Sequence, residues 1–250
     1  MSSSNILFIK VGTGVLTTKE GLLDQDTIAR LAQHIGALVT QGTKVVLVSS
    51  GAVGAGVPLL NLSEYPQDIA TRQAAAAIGQ AHLMHTYDDH FSPHGIKTAQ
   101  ILVSSMDLQV KSHRERVSDV LTRLLEHERV LPIVNENDVV SLRELTKTDN
   151  DMLAANLSNL MKAQHLILLT SVDGLLDDQD SVIKEVQNIS EIRAMVTQDS
   201  GEFSIGGMHS KLDAVEVARE SGTQVIIGNG DAPERLSGYL TKSSLGTYFY

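Results

Sequence analysis

Lys10 ends an apolar run, Ile6-Leu7-Phe8-Ile9, and is followed at once by the glycine-rich turn Val11-Gly12-Thr13-Gly14. An ammonium group beside backbone N–H groups suits a phosphate or another anion, although a purely structural turn would read the same way. A dinucleotide fingerprint is the other obvious reading. It fails because Thr17 stands where the third glycine belongs and no helix is expected to open there. A second glycine-rich segment, Ser49-Ser50-Gly51-Ala52-Val53-Gly54-Ala55-Gly56, follows the run Val45 to Val48. Glycines let the main chain approach a ligand closely, and successive N–H groups can hold an anion. Gly51 and Gly56 have the spacing of a P-loop, but Val57-Pro58 replaces the Lys-Ser/Thr pair that such a loop needs. A tight strand-to-helix connection explains the segment as well as a binding loop does. The serines lack the Gly-x-Ser-x-Gly elbow of a hydrolase nucleophile.

Two further clusters carry carboxylates, amides and a second lysine. Asn135-Glu136-Asn137-Asp138 and Thr148-Asp149-Asn150-Asp151 flank the stretch 139–147, which could form a short hairpin. Such side chains can bind an ammonium group and orient lysines, while helix capping alone would account for the second cluster. Ser204-Ile205-Gly206-Gly207-Met208-His209-Ser210-Lys211 reads as a turn entering a helix with a lysine in its first turn. The helix dipole disfavours a cation there by roughly 0.3–1 kcal/mol, so either an anionic ligand or plain surface exposure must account for it.

Positioning these segments requires a parallel sheet. Short β-branched runs at 6–9, 45–48, 98–103, 130–134, 166–169 and 225–227 alternate with helical patterns near 24–40, 67–90, 112–127, 150–162 and 209–221. That alternation predicts an α/β three-layer sandwich, with a mainly parallel and almost entirely buried central sheet and helices on both faces. Ligands in such sheets bind beyond the carboxyl ends of the strands, where all four segments fall. Asp24 and Ser112 suit N-caps, and Gly222 suits the position after the last helix.

Composition narrows the function classes. The 250 residues carry 20 Lys+Arg against 30 Asp+Glu, a net charge of −10 that gives little electrostatic support for gripping nucleic acid or an anionic membrane. There is no cysteine, which removes disulfides, thiolate metal sites and a cysteine nucleophile and fits a reducing cytoplasm. No run of 18 apolar residues occurs, and residues 1–5 are short and polar, without a signal-peptide pattern. The nine histidines are scattered, with no zinc-type spacing, so they read as surface or packing residues and no protein metal site is expected. The acidic stretch 177–180 lacks a calcium-loop spacing and reads as a solvated loop.

In this order the segments resemble the amino acid kinase family, and within it the glutamate-phosphorylating members. The resemblance runs from Ile6 to the C-terminus and rests on Lys10-Val-Gly-Thr, Ser50-Gly-Ala, Arg72-Gln73 with Gly79-Gln80, Asn135-Glu-Asn-Asp138, Asp149-Asn-Asp151, and Gly206-Gly-Met with Lys211. It implies the amino acid kinase fold and transfer of the γ-phosphoryl group of ATP to the side-chain carboxylate of L-glutamate, the first step of proline biosynthesis. It further implies that Lys10 and Lys211 neutralise the transferring phosphoryl group while Asp151 holds both lysines. Ser50, Gly51, Ala52, Asn135, Asp138 and Asn150 would hold glutamate, with Gly12, Thr13 and Gly51 presenting backbone amides. The nucleotide would meet Lys10, Gly12, Thr13, Thr170, Ser171, Ile205, Gly206, Gly207, Met208 and Lys211, with magnesium riding on the ATP phosphates. A homo-oligomer (dimer or tetramer) and feedback inhibition by proline are implied too.

The chain departs from the family pattern at Gly14, Ser171 and Ile205, and the loop after Leu175 is short. It also stops at Tyr250, where many members continue into a PUA domain, so the expectation is a single kinase domain over residues 1–250 without that addition. A related kinase with another acceptor, or a sensor of the same fold that binds without turnover, is the alternative reading.

Overall fold

The computed structural model describes residues 5–18, 20–141, 149–177, 179–195 and 207–250. Among these, strands β1 (Ile6–Val11), β2 (Lys44–Ser49), β3 (Lys97–Val103), β4 (Val130–Glu136), β5 (His165–Thr170), β6 (Glu185–Val186), β7 (Gln224–Asn229) and β8 (Thr247–Phe249) form one sheet. Its order is β3-β4-β2-β1-β5-β7-β8-β6, and every pairing is parallel except β7 with β8. The helices are α1 (Thr13–Leu16), α2 (Gln25–Thr40), α3 (Ala52–Gly56), α4 (Ile69–Phe91), α5 (Ser105–Gln109), α6 (Lys111–Leu125), α7 (Asn150–Leu160), α8 (Ile189–Met195), α9 (Gly207–Arg219) and α10 (Leu236–Leu240).

Strand alternation explains why helices cover both faces. Phe8, Val46, Val48, Leu166, Leu168, Val225 and Ile227 point to one side and pack against α6, α7 and α9. Their neighbours Leu7, Ile9, Val45, Leu47, Ile167, Leu169 and Ile226 point to the other and pack against α2, α4 and α10. The predicted three-layer sandwich is therefore the observed one.

The sheet is less completely buried than its composition suggests. Among the described residues β3 lies at an edge with only β4 beside it, and its Lys97, Gln100 and Leu102 are exposed. An unpaired edge that carries a lysine is poorly suited to strand addition. Helix capping differs at one point too. Ser112 is not an N-cap; α6 begins at Lys111 after Val110, without a side-chain cap. The capping box lies earlier, where Ser104 and Asp107 bond reciprocally and start α5. Asp24 does cap α2, accepting from the Thr27 N–H, and Gly222 turns at φ +83 just after α9. Contrary to the sequence expectation, a one-turn helix, α1, opens directly after Gly12.

β1 is the topological switch point. The chain leaves it toward β2 on one side and later places β5 on the other, opening a crevice at the carboxyl edge. Register aligns that edge, with Lys10 level with Val48 and Leu168, and Val11 level with Ser49 and Leu169. Against this edge α3 and α4 pack backbone to backbone. A Cβ on Gly79 would overlap the Ala52 carbonyl oxygen and the Gly56 amide nitrogen, and one on Gly56 would overlap the Ala75 carbonyl oxygen. Neither backbone can yield without separating the helices. Gly79→Ala is expected to cost about 1–3 kcal/mol, the usual range for overpacking, read as a lowered Tm. An unchanged Tm would mean that the helices separate at no cost.

Candidate active site

The crevice brings together residues that the sequence places far apart. Lys10 reaches in from the end of β1 and is 5% exposed. Its Nζ lies 2.5 Å from Asp151 Oδ1, in the first turn of α7, while Lys211 Nζ from α9 donates to the other oxygen, Oδ2, at 3.0 Å. Asp151 is 1% exposed. Burial alone would raise its pKa, but the two ammonium groups outweigh that and bring it down to about 2. The two ammonium groups share one carboxylate, so each keeps N–H donors for a further anion.

Asp149 ties these elements together. Its Oδ1 accepts from the N–H groups of Asp151 and Met152 and so caps α7, while its Oδ2 accepts from Ser210 Oγ at 2.7 Å. The capping reading of this cluster therefore holds, and the same carboxylate also fixes the turn of α9 beside Lys211. Gly207, the first described residue of α9, has φ +37, and Lys211 follows four residues later near the start of the helix, where the dipole disfavours a cation.

Beside the lysines lies a buried polar chain. Asn150, 4% exposed, accepts the Glu136 N–H at Oδ1. Its Nδ2 faces the Ser49 carbonyl oxygen at 3.0 Å, Ser50 Oγ at 2.9 Å and Asn135 Oδ1 at 3.0 Å. Asn135, 1% exposed, donates in turn to Gln80 Oε1 on α4 at 2.9 Å. Ser49 Oγ donates to the Ser50 carbonyl, so it receives its 2.8 Å bond from the Tyr87 hydroxyl. Burial pushes the Tyr87 pKa well up and keeps that hydroxyl protonated. Gly51 turns the chain with φ +98, a conformation that favours glycine, and Ala52 opens α3 behind it. Asp138 sits in the turn after β4.

On the nucleotide side the residues gather less tightly. The Gly12 N–H bonds the Leu169 carbonyl, so among the described residues the amides of that turn left for a ligand are those of Thr13 and Gly14 at the start of α1. A Cβ on Gly14 would meet nothing within 4 Å, so the departure from the family pattern there has no steric reason. The Thr170 carbonyl, at the end of β5, accepts from Gly230, and Ser171 beyond it is exposed. Met208 turns its side chain into the core beside α7. Ile205, Gly206 and Thr148 lie outside the described residues, as does most of the stretch read as a hairpin. The short loop after Leu175 is a tight turn in which Asp177 Oδ1 accepts from Gln179 and Ser181, a structural role for that carboxylate.

One cluster at this edge lies outside all the sequence motifs. Asp173 accepts from Asn229 at 2.9 Å and from Arg235 at 2.6 Å. The Asn229 amide, and then the guanidinium against a smaller effect of burial, hold its carboxyl below the usual range. The flanking Gly228 and Gly230 at the end of a predicted strand are the one signal that points to it. Among the described residues no group of three or more His, Asp or Glu side chains could hold a metal ion. Both oxygens of Asp151 are already taken by lysines.

Residues 5–229 match the amino acid kinase family. The chain is 40% identical to a glutamate 5-kinase of Clostridium acetobutylicum over 256 residues, covering all of this chain and 96% of that protein. It is 38% identical to a glutamate 5-kinase of a Thermoanaerobacter species, covering 97% of this chain and 67% of that one. A carbamate kinase from Giardia lamblia solved with AMP-PNP superposes over the whole chain and 99% of its own, with a TM-score of 0.68 at 15% identity.

Proposed function

This chain belongs to the amino acid kinase family, and on that premise we propose that it transfers the γ-phosphoryl group of ATP to the side-chain carboxylate of L-glutamate. The observation that carries the reading is the convergence of Lys10 and Lys211 on Asp151, next to the chain Asn150, Asn135 and Ser50. Phosphoryl transfer asks a protein for alignment and for positive charge where negative charge moves, rather than for a covalent intermediate. The bond from phosphorus to the β,γ-bridging oxygen breaks, one from phosphorus to a glutamate carboxylate oxygen forms, and ADP leaves with the electron pair. Lys10 and Lys211 face the phosphoryl oxygens; Thr13, with Gly12 shaping its turn, offers an amide.

On the acceptor side, Ser50 is well prepared. Its oxygen already receives Asn150, so among the described residues its hydroxyl hydrogen is left for a ligand. Gly51, Ala52 and Asp138 complete that wall, and Thr170, Ser171, Gly207 and Met208 border the nucleotide. Magnesium arrives on the ATP phosphates, in keeping with a site whose buried carboxylate is already committed to lysines. We also propose that residues 1–250 act as one kinase domain, working as a cytoplasmic homo-oligomer under feedback inhibition by proline. Among the described residues no helix is long and apolar enough to cross a membrane.

A coupled ADP assay with glutamate, aspartate, acetylglutamate and UMP tests the acceptor. Turnover with glutamate well above the other three is expected. Turnover confined to another acceptor would reassign the substrate, and nucleotide binding without ADP release on any of them would make the protein a sensor.

A further inference from the structure

We propose that Gln80 is a positioning residue for the acceptor, acting through Asn135 and Asn150; this deepens the glutamate-kinase reading and rests on it. Backbone groups set the orientations here, because their donor and acceptor roles cannot be exchanged. Asn150 Oδ1 faces the Glu136 N–H, which can only donate, and Asn150 Nδ2 faces the Ser49 carbonyl, which can only accept. The Asn150 amide therefore has one allowed orientation. Asn135 must then turn its oxygen toward Asn150 Nδ2 and its NH2 the other way, into α4, where an acceptor is required. Gln80 Oε1 is that acceptor, at 2.9 Å, and Gln80 is 8% exposed.

The position of Asn135 matters because Asn150 Nδ2 has two hydrogens and three acceptors around it: Ser49 O, Ser50 Oγ and Asn135 Oδ1. Holding Asn135 in place sets how much of this donation remains for Ser50, and thereby where the Ser50 hydroxyl points. Helix α4 is suited to the task. Gly79, next to Gln80, is locked backbone to backbone against α3, and Tyr87, two turns further along the same face, holds Ser49. Gln80 therefore reports the placement of α4 to the acceptor wall without belonging to the reacting groups.

The test is a comparison of Gln80→Met, which keeps the length but offers no acceptor, with Gln80→Glu, which keeps an oxygen facing Asn135. Loss of one buried hydrogen bond should raise KM for glutamate about 3–10-fold in Q80M, with KM for ATP within about 2-fold of wild type. Q80E should restore KM for glutamate to within about 2-fold of wild type, because a carboxylate oxygen can accept from Asn135. An unchanged KM for glutamate in Q80M overturns the proposal, and so does an equal rise in both KM values, which would indicate general loss of structure. Q80E separates positioning from direct contact. A KM higher than that of Q80M would mean that Gln80 touches the glutamate carboxylates, and one below wild type that it touches the ammonium group; either overturns the proposal. Should Q80M not fold, Gln80→Asn withdraws the same groups by one methylene and is judged by the same criteria. Absence of wild-type turnover with glutamate is a failure of the functional reading instead. The KM comparison is then made with whichever acceptor the wild-type protein uses.

Discussion

Replacing Lys10 or Lys211 by alanine is expected to lower kcat by about 10²–10³, the usual cost of removing one preorganised donor from a site of charge development. The two side chains reach the crevice from opposite ends of the chain, one from the end of β1 and the other from α9. Both bond the same carboxylate, so neither can relax toward the gap left by the other without breaking its own ion pair. Either variant should still fold, since Asp151 keeps one lysine partner. Arginine should not substitute, because its planar fork does not fit a place built for a compact ammonium group. Steady-state kinetics with ATP and glutamate supply the measurement. Unchanged kcat in both alanine variants would remove the lysines from the mechanism.

The second large effect is expected at Asp151. Asp151→Asn leaves two buried ammonium groups facing each other without their counter-charge, and kcat should again fall by about 10²–10³ although the carboxylate itself does not meet the phosphoryl group. A second readout comes from acid. The folded-state pKa of Asp151, about 2, lies below its ordinary value of 3.8, so the unfolded chain binds the extra proton and stability rises with pH through that window. The contribution is complete above the ordinary value and is lost as pH falls toward 2. For a carboxylate this deeply buried it amounts to about 2 kcal/mol. Urea denaturation between pH 5 and 2 should therefore show a flatter acid limb for D151N than for wild type. Parallel limbs would mean that the ion pairs contribute nothing to folding.

Much of this site is legible in the sequence. Lys10, Ser50, Asn135, Asn150 and Lys211 each stand at the end of an apolar run or the start of a helical one, and a parallel sheet must gather such positions at one edge. The glycines around them announce close backbone approach. Other parts are hidden for a common reason. Gln80 lies inside a long helical pattern, and nothing in its local sequence indicates that it faces Asn135, 55 positions away. The Ser210 bond to Asp149 spans 61 positions, and the Tyr87 bond to Ser49 spans 38. β6 and β8 are two and three residues long, too short to leave a periodic signal. Ser112 is the wrong cap because Ser104 and Asp107, three residues apart, have already started a short helix upstream.

The sequence by itself determined the alternation of strands and helices, the acidic balance, and which residue types stand at strand ends, because those follow from local periodicity and composition. The resemblance implied that two lysines 201 positions apart share one carboxylate, and the tertiary structure brings them to it; only the tertiary structure decided that an amide chain runs from α4 to α7. Ion pairs and buried amides are satisfied by whatever partner the packed layers bring within about 3 Å, and that partner is chosen by sheet order and helix docking rather than by neighbours along the chain.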